Sequence, residues 1–126
     1  MDPSEHPDYP DALLDHFRNP RNVGDVPGAD AFAEVESPLH GDRLRLSFRI
    51  EDGRIAEVRF RCLGCTVAIA AGSAATVLLQ GRTIDEALTL TDADVARALG
   101  GVPGRRAECS LLVRRAVRAA LASEPA

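Results

Sequence analysis

The stretch from Val58 to Gly81 changes its hydrophobic period partway along, so it must run from a strand directly into a helix. Val58, Phe60 and Cys62 alternate with Glu57, Arg59 and Arg61, the period-two pattern of a strand with one buried face. Gly64 interrupts the alternation. The Ala-rich run after it is long enough for about four helical turns, and Gly81 stands where a helix C-terminal glycine belongs. Cys65 therefore falls at the strand-to-helix junction. The unpaired N–H groups and positive dipole end of a helix N-terminus stabilise a thiolate there. Such a cysteine reads as a nucleophile or a metal ligand, with a small buried residue closing a turn as the alternative.

The flanking sequence predicts a single α+β domain. Residues 1–9 read as a polar, proline-punctuated tail, and Pro10 to Phe17 as a short helix stopped by Asn19-Pro20. A Gly- and Pro-rich loop follows to about Ala31. Phe32 to Glu36 is a candidate strand, with a turn from Ser37 to Asp42. Leu44, Leu46, Phe48 and Ile50 then alternate with Arg43, Arg45 and Arg49. Asp52-Gly53 signals a hairpin into the strand that ends at Cys62. Thr83-Ile84-Asp85-Glu86 matches a capping box, Asp92 to Leu99 a further helix, and Glu108 to Leu121 a last amphipathic helix. Strands first and helices afterward imply a small three-stranded antiparallel sheet with helices packed on one face, over residues 10–122, and a short tail at 123–126.

Composition narrows the function classes. A net charge of −4 argues against nucleic-acid binding, and the longest apolar run, Cys65 to Leu79, is too short to span a membrane. No lysine is present for Schiff-base chemistry. Three cysteines and no signal-peptide pattern argue against a disulfide framework and for a reducing, cytoplasmic setting.

Several soft or borderline metal ligands stand at segment ends: His40 and Asp42 before a strand, Cys65 before one helix, Glu108 and Cys109 in the first turn of another. Side chains so placed can converge from different elements on Zn(II) or an iron–sulfur centre. His40-Gly41-Asp42 also reads as a plain turn. Cys62 continues the inward face of its strand, so it is a core residue or, through the Cys62-Leu63-Gly64-Cys65 spacing, a ligand or redox partner. A zinc nucleobase deaminase is excluded. Asp replaces its Glu, Arg61 replaces the proline before its cysteine pair, and His40 precedes a strand where that chemistry needs a helix.

Asp15-His16-Phe17-Arg18-Asn19-Pro20-Arg21-Asn22-Val23-Gly24 resembles the signature of the iron–sulfur cluster assembly scaffolds of the IscU/NifU N-terminal family. The similarity continues through Gly41-Asp42, Phe60 to Cys65, Gly81 to Ala87 and Cys109 to Leu112, covering about residues 9 to 121. The spacing of Cys65 and Cys109 resembles the IscU type rather than the SufU type.

The resemblance implies a scaffold, not an enzyme, that receives sulfur from a cysteine desulfurase and iron from solution. It would build a labile cluster, of the two-iron type, and pass it to apo iron–sulfur proteins or carrier proteins. Family scaffolds use three cysteines, an aspartate after the first and a histidine before the last. By that correspondence Cys65 and Cys109 are ligands and sulfur acceptors, and Asp42 is an exchangeable ligand. His40 replaces the first cysteine and Glu108 the histidine, so His40, Asp42, Cys65 and Cys109 form the implied metal set, with Glu108 and Cys62 as further candidates. Exchanging thiolate for imidazole is compatible with cluster binding, as in Rieske centres. It leaves two alternatives: a scaffold-fold protein holding Zn(II) or a stable Rieske-like centre, and a family relic that only binds partners. The family's Leu-Pro-Pro-Val-Lys loop stands here as Val102-Pro103-Gly104-Arg105-Arg106, a departure that argues against an HscA-type chaperone as partner.

Overall fold

In the computed structural model, residues 9–37, 41–102 and 111–122 are described. The chain runs α1 (Asp11–Arg18), β1 (Ala31–Glu36), β2 (Arg43–Glu51), β3 (Arg54–Leu63), α2 (Thr66–Leu79), α3 (Ile84–Leu88), α4 (Asp92–Ala98) and α5 (Leu111–Leu121). The strands form one antiparallel sheet in the order β1-β2-β3. The β2–β3 hairpin turns on Asp52 and Gly53, both at positive φ (52° and 73°), as the two-residue primed turns require. A bulge opposite Arg49 and Ile50 takes up one extra residue of β3. For that reason Ile55 and Val58, an odd number of positions apart, are both buried.

One face of the sheet, carrying Leu44, Leu46, Phe48, Val58 and Phe60, is covered by helices α2 and α5. The other carries Arg43, Arg45, Arg59 and Arg61 among acidic neighbours such as Asp25 and Glu57. This is the one-sided sheet that the alternation predicts. Amphipathic α5 buries Leu112, Val113, Ala116 and Val117 and exposes Arg114 and Arg115. The capping box of Thr83 and Glu86 opens α3 as expected, and an Asp version of it, Thr91 with Asp94, opens α4.

Helix α2 is the centre of the fold. Buried residues occur all around it, and it meets β3, α1, α4 and α5. Its small side chains allow that enclosure: a Cβ on Gly72 would lie 2.6 Å from Phe60 Cδ2. After the helix, Gly81 (φ 86°) donates its N–H to the Ile55 carbonyl, binding the end of α2 to the start of β3.

Tyr9, assigned by sequence to the N-terminal tail, is only 7% exposed and packs in the core cluster, so the packed domain includes it. Residues 1–8 and 123–126, the rest of the expected tails, lie outside the described residues. No described helix is long and apolar enough to cross a membrane.

Candidate metal centre

Cys65 is the N-cap of α2, with extended backbone (φ −74°, ψ 173°) and its carbonyl accepting from the Ile69 N–H at 3.1 Å. The sulfur thus stands at the positive end of a 14-residue helix. Gly64 makes this junction possible. A Cβ there would come within 3.0 Å of Asp42 Cγ, Asp42 Oδ1 and the Ala68 Cβ, so the absence of a side chain lets the carboxylate pack against the turn.

Asp42 comes from the opposite direction, as the residue before β2. The Ser37 N–H donates to the Asp42 carbonyl at 2.7 Å, and the Gly41 N–H donates to the Ser37 carbonyl at 2.9 Å. Gly41 takes a positive φ of 70°, a conformation that favours glycine. This closed connection holds Asp42 at 7% exposure, with Oδ2 4.0 Å from Cys65 Sγ. A soft sulfur and a hard carboxylate oxygen, from two elements, face one another. That donor pair suits iron or zinc.

Cys62 pairs with Leu44 across the sheet and packs, half-buried, against the core. Burial pushes its thiol up to about 12, with the Asp42 carboxylate and Cys65 adding to the effect. Two sequence-predicted donors, Asp42 and Cys65, are therefore together, while Cys62 packs against the core. His40, Glu108 and Cys109 lie outside the described residues. Among the described residues, no group of three His, Cys, Asp or Glu side chains could hold a metal ion.

The structure gives the Asp15–Gly24 signature a physical role. His16 Nδ1 lies 2.7 Å from Ser73 Oγ, which also accepts from the Arg21 N–H at 2.9 Å. Asn22 Nδ2 donates to Thr76 Oγ1 at 3.0 Å. The signature thereby satisfies the two buried hydroxyls of α2. Arg21 Nη1 is 3.2 Å from the same His16 nitrogen, and a guanidinium can only donate, so Nδ1 is an acceptor and the imidazole proton belongs on Nε2. Burial first, and then the Arg21 charge, hold His16 below its ordinary value, although Asp15 acts in the opposite direction. Beyond Asn22 (φ 58°), the chain lies along the free edge of β3. The Phe60 N–H donates to the Asn22 carbonyl, and the Gly24 N–H to the Phe60 carbonyl, both at 2.9 Å. The available signal was the presence of Ser73 and Thr76 among alanines, two hydroxyls that needed partners.

Residues 8–125 match the family model described as the NifU-like N terminal domain. The chain is 43% identical over 113 residues to the iron–sulfur cluster assembly scaffold protein IscU 1 of Archaeoglobus fulgidus, covering 90% of this chain and 74% of that protein. It is 38% identical over 117 residues to the iron–sulfur cluster assembly scaffold protein IscU of Azotobacter vinelandii, covering 90% of this chain and 91% of that one. Among solved structures, it superposes with a TM-score of 0.76 and 20% identity on a crystal structure titled as a putative iron–sulfur cluster assembly scaffold protein for the SUF system, from Fervidobacterium islandicum AW-1. That match covers 90% of this chain and 96% of the other.

Proposed function

The chain belongs to the NifU-like N terminal domain family, and from that premise we propose that it is an iron–sulfur cluster assembly scaffold. It takes up sulfur and iron, builds a cluster and passes it to apo-proteins. The observation that carries this reading is Cys65 at the N-terminus of α2 with the Asp42 carboxylate 4.0 Å away, on a chain 43% identical to a protein named as such a scaffold.

The chemistry follows from the donors. The Cys65 sulfur, at a helix N-terminus, can accept sulfur and then hold iron. Asp42 offers a hard oxygen, a weaker partner for iron–sulfide cargo than a thiolate, and so keeps the cluster exchangeable. The proposed set is completed by Cys109 and His40, around a cluster of the two-iron type. Sulfur comes from a cysteine desulfurase, and the product goes to apo iron–sulfur proteins or carriers. The cluster is cargo, and the chain acts as a scaffold rather than an enzyme. Its thiols must stay reduced to act, which suits the cytoplasm.

The test is metal analysis of anaerobically purified protein, with acid-labile sulfide and a visible spectrum. Iron and sulfide in equal amounts, with visible absorption, are expected. Stoichiometric zinc without sulfide would replace this reading with the Zn(II) one. His40→Cys adds a thiolate and should assemble a cluster from iron and sulfide faster than the native chain. Equal rates for His40→Cys, His40→Ala and the native protein would remove His40 from the set.

A further inference from the structure

We infer that a cleft on the outer face of the sheet docks the apo-protein that receives the cluster, through a segment that joins an apolar side chain to carboxylates. This rests on the scaffold reading and names where its acceptor engages.

The cleft has a volume of about 380 Å³, within the range of preformed ligand sites. Its walls are strand residues: Glu34 of β1, Arg43 of β2, and Arg61 and Leu63 of β3. The sheet register sets Arg43 directly opposite Leu63. Val23 completes the lining. Hydrogen bonds of Phe60 with its two neighbours, Asn22 and Gly24, hold it along the edge of β3. A partner therefore meets a surface already formed, with little ordering entropy lost on this side.

The first property of the lining is apolar. The exposed large hydrophobic side chains among the described residues are Val23, Phe32, Leu63 and Val77. Phe32 has the Arg45 guanidinium over its ring at 4.9 Å, and Val77 stands apart on α2. Val23 and Leu63, 51% and 71% exposed, share the cleft. Covering both with one apolar side chain removes them from water together.

The second property is charge. The lining carries two guanidiniums and one carboxylate, in a chain whose net charge is −4. Carboxylates outside the cleft compensate those guanidiniums only in part. Asp25 is shared between Arg61 and Arg45, at 2.7 and 3.4 Å. Arg43 meets Glu36 at 3.7 Å with both side chains more than half exposed, a pair that contributes little in water. An incoming carboxylate can accept hydrogen bonds from Arg43 and Arg61, whereas a basic segment meets like charges.

Position assigns the surface to cluster transfer. Arg43 follows Asp42 in the chain, and Leu63 stands two residues before Cys65. A segment held by Arg43 and Leu63 lies within two residues' length of both donors, where a departing cluster must be received.

Docking is read first on the unloaded full chain, by fluorescence anisotropy with a labelled Glu-Leu-Asp-Leu-Glu peptide. Saturable binding is expected. Arg43→Glu and Leu63→Ser should each weaken it at least about tenfold, while Arg114→Glu, on the exposed side of α5, should bind as the native chain does. Lys-Leu-Lys-Leu-Lys and Glu-Ser-Asp-Ser-Glu, each lacking half of the match, should also bind at least about tenfold more weakly. An absence of saturable binding, equal binding of the three peptides, or equal loss in all three variants would overturn the inference. A second arm adds excess Glu-Leu-Asp-Leu-Glu during transfer from the loaded native chain to an acidic apo-ferredoxin. Transfer should slow at least about fivefold by competition. Transfer at an unchanged rate, with the peptide bound, would overturn the assignment of the cleft to the acceptor. A native chain that transfers nothing even without peptide counts against the scaffold reading instead, and the anisotropy arm still decides whether the cleft docks such a segment.

Discussion

The middle and the N-terminal end of helix α2 use their polar atoms for opposite purposes. In the middle, Ser73 and Thr76 are fully buried, and the signature residues His16, Arg21 and Asn22 satisfy their hydroxyls. At the N-terminal end, Cys65 and Asp42 stand 4.0 Å apart, brought together by two chain turns. The middle stores stability and the end stores reactivity. A helix enclosed on most of its surface can present a thiolate at one tip because its other contacts leave it no freedom to shift. Substitutions at the two places should therefore separate metal chemistry from stability.

The largest effect is expected at the tip. Cys65→Ala should abolish cluster assembly from iron and sulfide while changing unfolding free energy by less than about 1 kcal/mol. Absorption after reconstitution and urea denaturation read the two quantities. Substantial cluster on the variant would break the division.

Gly72→Val tests the opposite case. Its Cβ would meet Phe60 at 2.6 Å, and such overpacking should cost about 3 kcal/mol. Whatever fraction remains folded at low temperature should still take up iron in proportion to its folded population. Ser73→Ala should have a smaller effect, about 1 kcal/mol, because it leaves the part-buried Arg21 N–H and His16 Nδ1 without their shared partner. Cluster assembly by that variant should match the native level.

The smallest effect is a pH dependence from His16. Burial and then Arg21 hold its folded-state value below the ordinary value of 6.5, with Asp15 opposing them and Ser73 against its Nδ1. As pH falls through about 6.5, the unfolded chain takes up this proton before the folded one does. The stability present above that pH should therefore decline below it and level off once the folded imidazole is also protonated. Asp15, Glu57, Glu86 and Asp94 are lowered from 3.8 or 4.5, so their contributions are lost only at more acidic pH. Thermal melts between about pH 7 and 5 should show the decline in the native chain and a flatter profile in His16→Asn. Parallel profiles would remove His16 from this role.

Much of the fold was legible because its signals are local. The Asp52-Gly53 turn, the alternation of β2, the Thr83–Glu86 capping box and the stripe of α5 each arise from residues within a few positions of one another. The bulge that buries both Ile55 and Val58 was not legible, since it depends on the partner strand. Nor were the burial of Tyr9 and the approach of Gly72 to Phe60, which depend on packing between distant segments. At the site, the change of period at Gly64 and the turn before β2 placed Cys65 and Asp42 at segment ends, and only the structure brings those ends within 4.0 Å. The signature could be read as a resemblance, but not as a grip on α2. His16 and Ser73 are 57 residues apart, and no periodicity connects them.

The central claim is that the cargo is built to leave. Its most direct measurement is transfer from the loaded chain to an apo-ferredoxin with an iron chelator present, followed by the visible circular dichroism of the acceptor. The loaded native chain should convert the acceptor faster than equal amounts of free iron and sulfide do, and Cys65→Ala treated in the same way should give no advantage. A native chain that keeps its cluster while the acceptor stays empty, or that delivers it no faster than free iron and sulfide, would contradict the scaffold assignment.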